Sequence, residues 1–242
     1  LFDLSLSLDA FDNQIQSKLM WNNHENLAYR GDIESDFFFS REGNSLHPHI
    51  RVEMEPSEVI ISDSVWHLSH TTVLIDSTDI SVQGFSFLNN NQEIAIGGKI
   101  SKNETSQMIL NVKQINLESL GSYLNKPLGM KGMLNGTVGM SNFYHQRLFS
   151  SNLHLTGFEY QNQEFGDANL TSRLNSETGL INGDLKIEKN NRKQFLATGT
   201  YDPKTKNLDF GIDLDHMPLV LLGTVIKETF SNFHGDGTGH VW

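Results

Sequence analysis

Apolar and polar residues alternate with a period of two along almost the whole chain, and this constrains the fold more than any other feature. "FDLSLSLDAF" sets Leu4, Leu6 and Leu8 on one face and Asp3, Ser5, Ser7 and Asp9 on the other. "HIRVEMEP" opposes Ile50, Val52 and Met54 to Arg51, Glu53 and Glu55. The same rhythm aligns Ile94, Ile96 and Ile100, then Met108, Leu110 and Val112, then Leu153 and Leu155. It continues through Leu185 and Ile187 and ends on Leu208, Phe210, Ile212 and Leu214. Between these runs stand turn-formers: "NNNQ", "SKNET", "NSETG", "KNNRK" and "DPKTKN". One-sided alternation with short punctuation means antiparallel strands with one apolar and one wetted face. Helical spacing occurs twice. Leu117, Leu120 and Leu124 follow Asn116 as an N-cap, and Leu219, Leu222, Val225 and Ile226 follow Pro218. The pattern therefore predicts short helices near 116–124 and 218–230.

The chain also repeats itself. "NNNQEIAIGGKISKNE" from Asn89 aligns with "NNRKQFLATGTYDPKT" from Asn190, placing Gly98 on Gly199. "INLESL" from Ile115 then falls on "MPLVLL" from Met217, and "KGMLNGTV" from Lys131 on "HGDGTGHV" from His234. The glycine-rich end of the chain is thus the second copy of a strand-entry element. Met133 and Asn135 stand where the second copy has Asp236 and Thr238, so a nucleotide cradle is a poor explanation of both.

Charge narrows the function classes. Of 242 residues, 18 are Lys or Arg and 29 are Asp or Glu, giving a formal net charge of −11. Phosphate-backbone binding needs clustered cations, so nucleic acid is excluded as a partner. Zero cysteine removes thiolate and disulfide chemistry. No apolar run reaches the roughly 18 residues of a spanning helix; the longest, "MPLVLLGTVI", is too short. The N-terminus is not signal-like and begins in mid-alternation, as a segment of a longer protein would.

Site-like constellations are few. His47 with His49, and His67 with His70, are pairs of metal-ligand type, but no motif supplies a third ligand, so neither a metal nor a cofactor is expected. Asp32, Glu34 and Asp36, like Glu53 and Glu55, read as the solvated side of a strand rather than an acid–base pair, so the chain is expected not to be an enzyme. The phenylalanines at 37 to 39 read as a buried strand, and the sequons at Asn103, Asn135 and Asn169 as turn chemistry. The three tryptophans, Trp21, Trp66 and Trp242, are unclustered, unlike the aromatic row of a glycan-binding surface. A membrane barrel needs strands of about 10 residues with a lipid-facing band; these runs read as shorter and more charged.

The ordered string from Val65 to Leu124 resembles the recurring unit of the TamB family, inner-membrane-anchored envelope proteins of the AsmA-like superfamily. Trp66 and Leu68, the stretch from Gln92 to Gly98, and Leu117 with Leu120 occupy the motif places, followed by Gly132, Gly136 and Gly139. The second unit departs from the pattern, since "FLATGTYDP" lacks the Gln-Glu pair. The resemblance implies a mostly β fold, an elongated antiparallel sheet curled into a trough (a β-taco) of repeated units with one or two short helices. Segment 1–64 would lead into a first unit at 65–130, with 131–242 holding a second unit and the start of a third, all one continuous trough. It further implies a periplasmic stretch that carries phospholipid between the membranes, beside an outer-membrane barrel partner and the rest of the same chain at both ends. The alternatives are an assembly scaffold for outer-membrane protein insertion and a secreted glycan-binding β protein. The expected groove residues are Ile94, Ile96, Met108, Leu110, Val112, Leu153, Leu155, Leu185, Ile187, Phe210, Ile212 and Leu214.

Overall fold

The structure is a computed structural model that describes residues 3–25, 28–41, 49–123, 129–145, 147–219 and 235–241. Within these the chain is mostly β, with 17 strands in antiparallel pairs and one short helix, α1 (Leu117–Tyr123). Asn116 caps that helix, its side-chain oxygen accepting from the Glu118 and Ser119 amides at 2.9 and 3.4 Å. The second expected helix, near 218–230, lies outside the described residues from 220 onward. Pro218, read as a first helical turn, is instead the last residue of β16, opposite Asp236. A missing N–H is harmless at the end of a ladder.

The chain folds as two compact units: residues 1–115 with 139–147, and residues 116–138 with 148–242. The first is an up-and-down meander. β1 (Asp3–Phe11), β2 (Gln14–Asn22) and β3 (Tyr29–Ser40) pair in turn. β4 (His49–Met54) and β5 (Ser57–Ile61) then run end to end along β3, interrupted at Pro56. β6 (Ser64–Leu68) and β7 (Thr71–Asp76) return end to end beside them. β8 (Asp79–Asn89) pairs with β7 through its first half and β6 through its second, before β9 (Gln92–Ile100) and β10 (Gln107–Asn116) complete the unit. Pro56, the break at Ser69–His70 and a bulge at Gly84 thus interrupt adjoining strands at related levels, as a sheet that bends there requires.

The second unit repeats the meander through β12 (Leu148–Tyr160), β13 (Gln163–Leu174), β14 (Ile181–Lys189), β15 (Arg192–Tyr201), β16 (Leu208–Pro218) and β17 (Asp236–Val241). β11 (Met130–Ser141) precedes them. Both copies of the sequence repeat therefore carry a hairpin turn, two strands and a later strand in the same order. "KGMLNGTV" lies in β11, and the described part of "HGDGTGHV" in β17. Gly98 and Gly199 also play matching parts: a Cβ on either would overlap the carbonyl oxygen facing it, of Gln107 and Asp209 respectively.

Turn chemistry explains the register. Hairpins of two residues join β5 to β6, β12 to β13 and β14 to β15, with both turn residues at positive φ: Ser62–Asp63, Gln161–Asn162 and Asn190–Asn191. This is the turn whose twist suits paired strands. Two six-residue loops share one design. Asn175 and Asp202 each hold the amide two residues on, at 2.9 and 2.8 Å, and each accepts the amide four residues on through its own carbonyl at 2.8 Å.

Two details differ from the sequence reading. Asn103 does make turn bonds, accepting from the Thr105 amide and hydroxyl at 3.0 and 2.9 Å, but Asn135 and Asn169 lie inside β11 and β13. Strands of 12 and 13 residues, β11 and β12, also remove the expected shortness as an argument against a barrel.

Candidate functional site

The candidate site is the apolar face of the sheet in each unit. In the first unit the ladders align apolar residues from strand to strand. Ile94 faces Val112, Ile96 faces Leu110, and Gly98 faces Met108. On the other side Ile94 meets Phe87 and Ile96 meets Phe85. The next row runs across six strands as Ile15, Phe37, Val52, Val73, Val82 and Gly98. Each described regular element of this unit is a strand of the meander. The five expected residues on β9 and β10 (Ile94, Ile96, Met108, Leu110 and Val112) are all half-buried. Among the described residues of this unit, the buried apolar side chains are Val59, Trp66 and Leu68 on β5 and β6 and Ile115 on β10, and Trp66 stacks on Phe87 at 4.9 Å. Of the phenylalanines at 37 to 39, Phe37 continues an apolar row, whereas Phe38 lies on the polar face 4.3 Å beneath the Arg51 guanidinium.

In the second unit one row reads Leu155, Ala168, Ile187, Phe195 and Leu214, and the next reads Leu153, Leu170, Leu185, Ala197 and Ile212. Phe210 faces Gly199, and its ring extends over Gly183. Six of the seven expected residues here are half-buried; Ile187, at 1% exposure, is not a wall residue at all. It sits in a closed core with Phe158, Phe165, Phe195 and Met217, against which Leu155, Leu185, Phe210, Ile212 and Leu214 pack. The alternation put Ile187 on the correct face, but it carries no information about what lies above that face.

The sequence reading missed the aromatic floor of this face, and the reason is local. Three bulges shift the phase by one residue: Val82 to Phe85, Leu155 to Phe158, and Leu214 to Met217. Each has a left-handed residue just before the apolar one, namely Gly84, Gly157 and His216. Strict period two expects apolar residues at 84, 157 and 216 and so skips Phe85, Phe158 and Met217. "VQGF" and "LTGF" were the available signal, an apolar residue followed two places later by Gly-Phe.

On the polar face Asp32, Glu34, Asp36 and Glu53, singled out in the sequence, lie in ion pairs and hydrogen bonds. Lys18 bridges Asp32 and Glu34 at 2.8 and 2.7 Å, and these two hydrogen bonds hold its ammonium well above the usual lysine range. Gln14 donates to Asp36 at 3.1 Å and Arg51 pairs with Glu53 at 2.8 Å, so these acids lie among partners on a wetted surface. His49 and His67 approach Asp76 and Glu58 at 3.4 and 3.5 Å. Among the described residues no three His, Asp or Glu side chains converge as metal ligands; His47 lies outside them. No described helix is long and apolar enough to cross a membrane. No protein-family model, curated protein or solved structure matches the chain.

Proposed function

We propose that the chain is a periplasmic segment of a TamB-like envelope protein whose apolar sheet faces hold phospholipid acyl chains in transit between the inner and outer membranes. One observation carries the reading: rows of aligned apolar side chains, from Ile15 to Val82 and from Leu153 to Ile212, that stay half-buried along most of their length. A face that only closes a core buries its residues as the Ile187 cluster does. An acyl chain brought onto the half-open rows leaves water, at about 0.8 kcal/mol for each methylene covered. Its head group stays in solvent, so the face needs no charged anchor and no reacting group. The carrier is thus non-enzymatic, and an outer-membrane barrel and the rest of a longer polypeptide are its proposed partners. Among the described tryptophans, Trp66 is buried and Trp21 lies across Gly31, which favours the lipid reading over a glycan-binding one.

Photo-crosslinking residues placed in the full-length protein test the reading. Those at Leu110 and Ile212, on the apolar face, are expected to capture phospholipid. Those at Lys113 and Asp213, on the opposite face, are expected not to. Equal capture on both faces, or none on either, removes the lipid reading.

A further inference from the structure

The apolar face of the second unit carries a pair of hydroxyls that a purely hydrocarbon surface does not require. Ser151 on β12 is registered against Ser172 on β13, and their Oγ atoms stand 2.7 Å apart. Alternation sets Ser151 on the side of Leu153 and Leu155, and Ser172 on the side of Ala168 and Leu170. The same row continues across the ladders as Gly183, Gly199 and Phe210. Leu153, Leu170 and Leu185 border it on one side, and Leu174, Ile181 and Tyr201 on the other. Two hydroxyls carry two protons, and the bond between them uses one. Among the described residues neither hydroxyl makes another hydrogen bond. Ser151 is the buried member, at 9% exposure, so its proton is the one committed to the pair. Ser172 is half-buried and keeps its own proton for an acceptor on the open side of the face.

Water is such an acceptor, but hydrocarbon is not. An acyl chain laid over Ser172 displaces water and strands the O–H, and a donor left unmade in this way is costly. A lipid avoids that cost by bringing an acceptor that holds no proton of its own. An ester carbonyl is such a group, and it stands where the acyl chain begins. We infer that Ser172, oriented by Ser151, donates to an ester carbonyl oxygen of the bound lipid, so that the face recognises acyl esters. The inference rests on the lipid reading above and names the part of the lipid that this face takes hold of. Ser172 makes the contact, and Ser151 is the positioning residue. From the carbonyl the acyl chain runs over Gly183 and Gly199, positions without a side chain, onto the Phe210 ring that extends over them.

Competition between two lipids tests it. Vesicles holding equal amounts of a di-ester phosphatidylethanolamine and its di-ether analogue are offered to the whole chain carrying a photo-crosslinker at Ile212. Mass spectrometry of the conjugates then gives the ratio of the two. The ester form is expected to be captured about fivefold over the ether form, the factor that one hydrogen bond supplies. The double variant Ser151→Ala, Ser172→Ala removes both hydroxyls without stranding either, and should bring the ratio to about one while total capture persists. Ser172→Thr keeps the hydroxyl and should keep the preference. The control pair Ser150→Ala, Thr171→Ala removes exposed hydroxyls from the opposite face and should also leave it unchanged. Equal capture of the two lipids by the unsubstituted chain, or a preference that survives in the double alanine variant, overturns the inference and leaves the lipid reading standing. Capture of neither lipid removes the lipid reading and the inference with it.

Discussion

At the scale of single residues, two side chains that look alike in the sequence occupy different physical situations. Leu110 and Ile187 both fall on apolar positions of alternating strands. Leu110 faces Ile96 and is half-buried, whereas Ile187 is 1% exposed among Phe158, Phe165 and Phe195. A carboxylate at position 187 would be enclosed without a partner and would also forfeit the packing of the isoleucine. Together these cost about 4 kcal/mol or more, a large part of the ~5–15 kcal/mol that holds a domain folded. At position 110 the carboxylate reaches water, and the cost falls to roughly 1–2 kcal/mol. Ile187→Asp should therefore lower the urea midpoint sharply or prevent folding, while Leu110→Asp should fold. Equal losses from the two substitutions would mean that the face around Leu110 is as closed as the core around Ile187.

At the scale of elements, strands and turns were legible because each is written in local chemistry. All five separators seen in the sequence are turns, including the loops opened by Asn175 and Asp202. Period two alone does not show the bulges, since one left-handed residue at Gly84, Gly157 or His216 changes the face of everything beyond it; only the Gly-Phe pairs at 84–85 and 157–158 marked two of them. The β15–β16 loop gives the element-scale prediction. Asp202 accepts the Lys204 amide at 2.8 Å and the Thr205 hydroxyl at 2.8 Å, and these bonds, the backbone one foremost, hold its carboxyl below the ordinary aspartate value of 3.8. A depressed carboxyl lends stability that is present above its unfolded value and disappears as pH falls through the folded one. An NMR titration of Asp202 should accordingly have its midpoint below 3.8, and Thr205→Ala should raise it without fully restoring it, because the Lys204 amide remains. A midpoint at or above 3.8 would show that the loop does not close through this carboxylate.

For the whole molecule, period two and repetition carried the architecture: antiparallel strands, a shared face and two copies of one element order. Neither could show where that face is closed, because closure depends on contacts among strands far apart in sequence. Phe165 and Met217 are fully buried only because β13 and β16 reach one cluster from opposite sides of β14 and β15. Closure should govern how stability is distributed. Amides open with free energies that rise with the buried contacts broken, up to the global value in the core. β1 pairs through all nine residues, yet none of its side chains is buried, so its ladder bonds open at little cost. β13, β14 and β15 make comparable ladders beneath a closed cluster. Native-state hydrogen exchange should find the slowest amides around Phe165, Ile187 and Phe195 and fast exchange along β1, despite similar hydrogen bonding in the two places. Uniform protection across β1 and β14 would mean that ladder pairing, rather than closure of the apolar face, sets local stability in this chain.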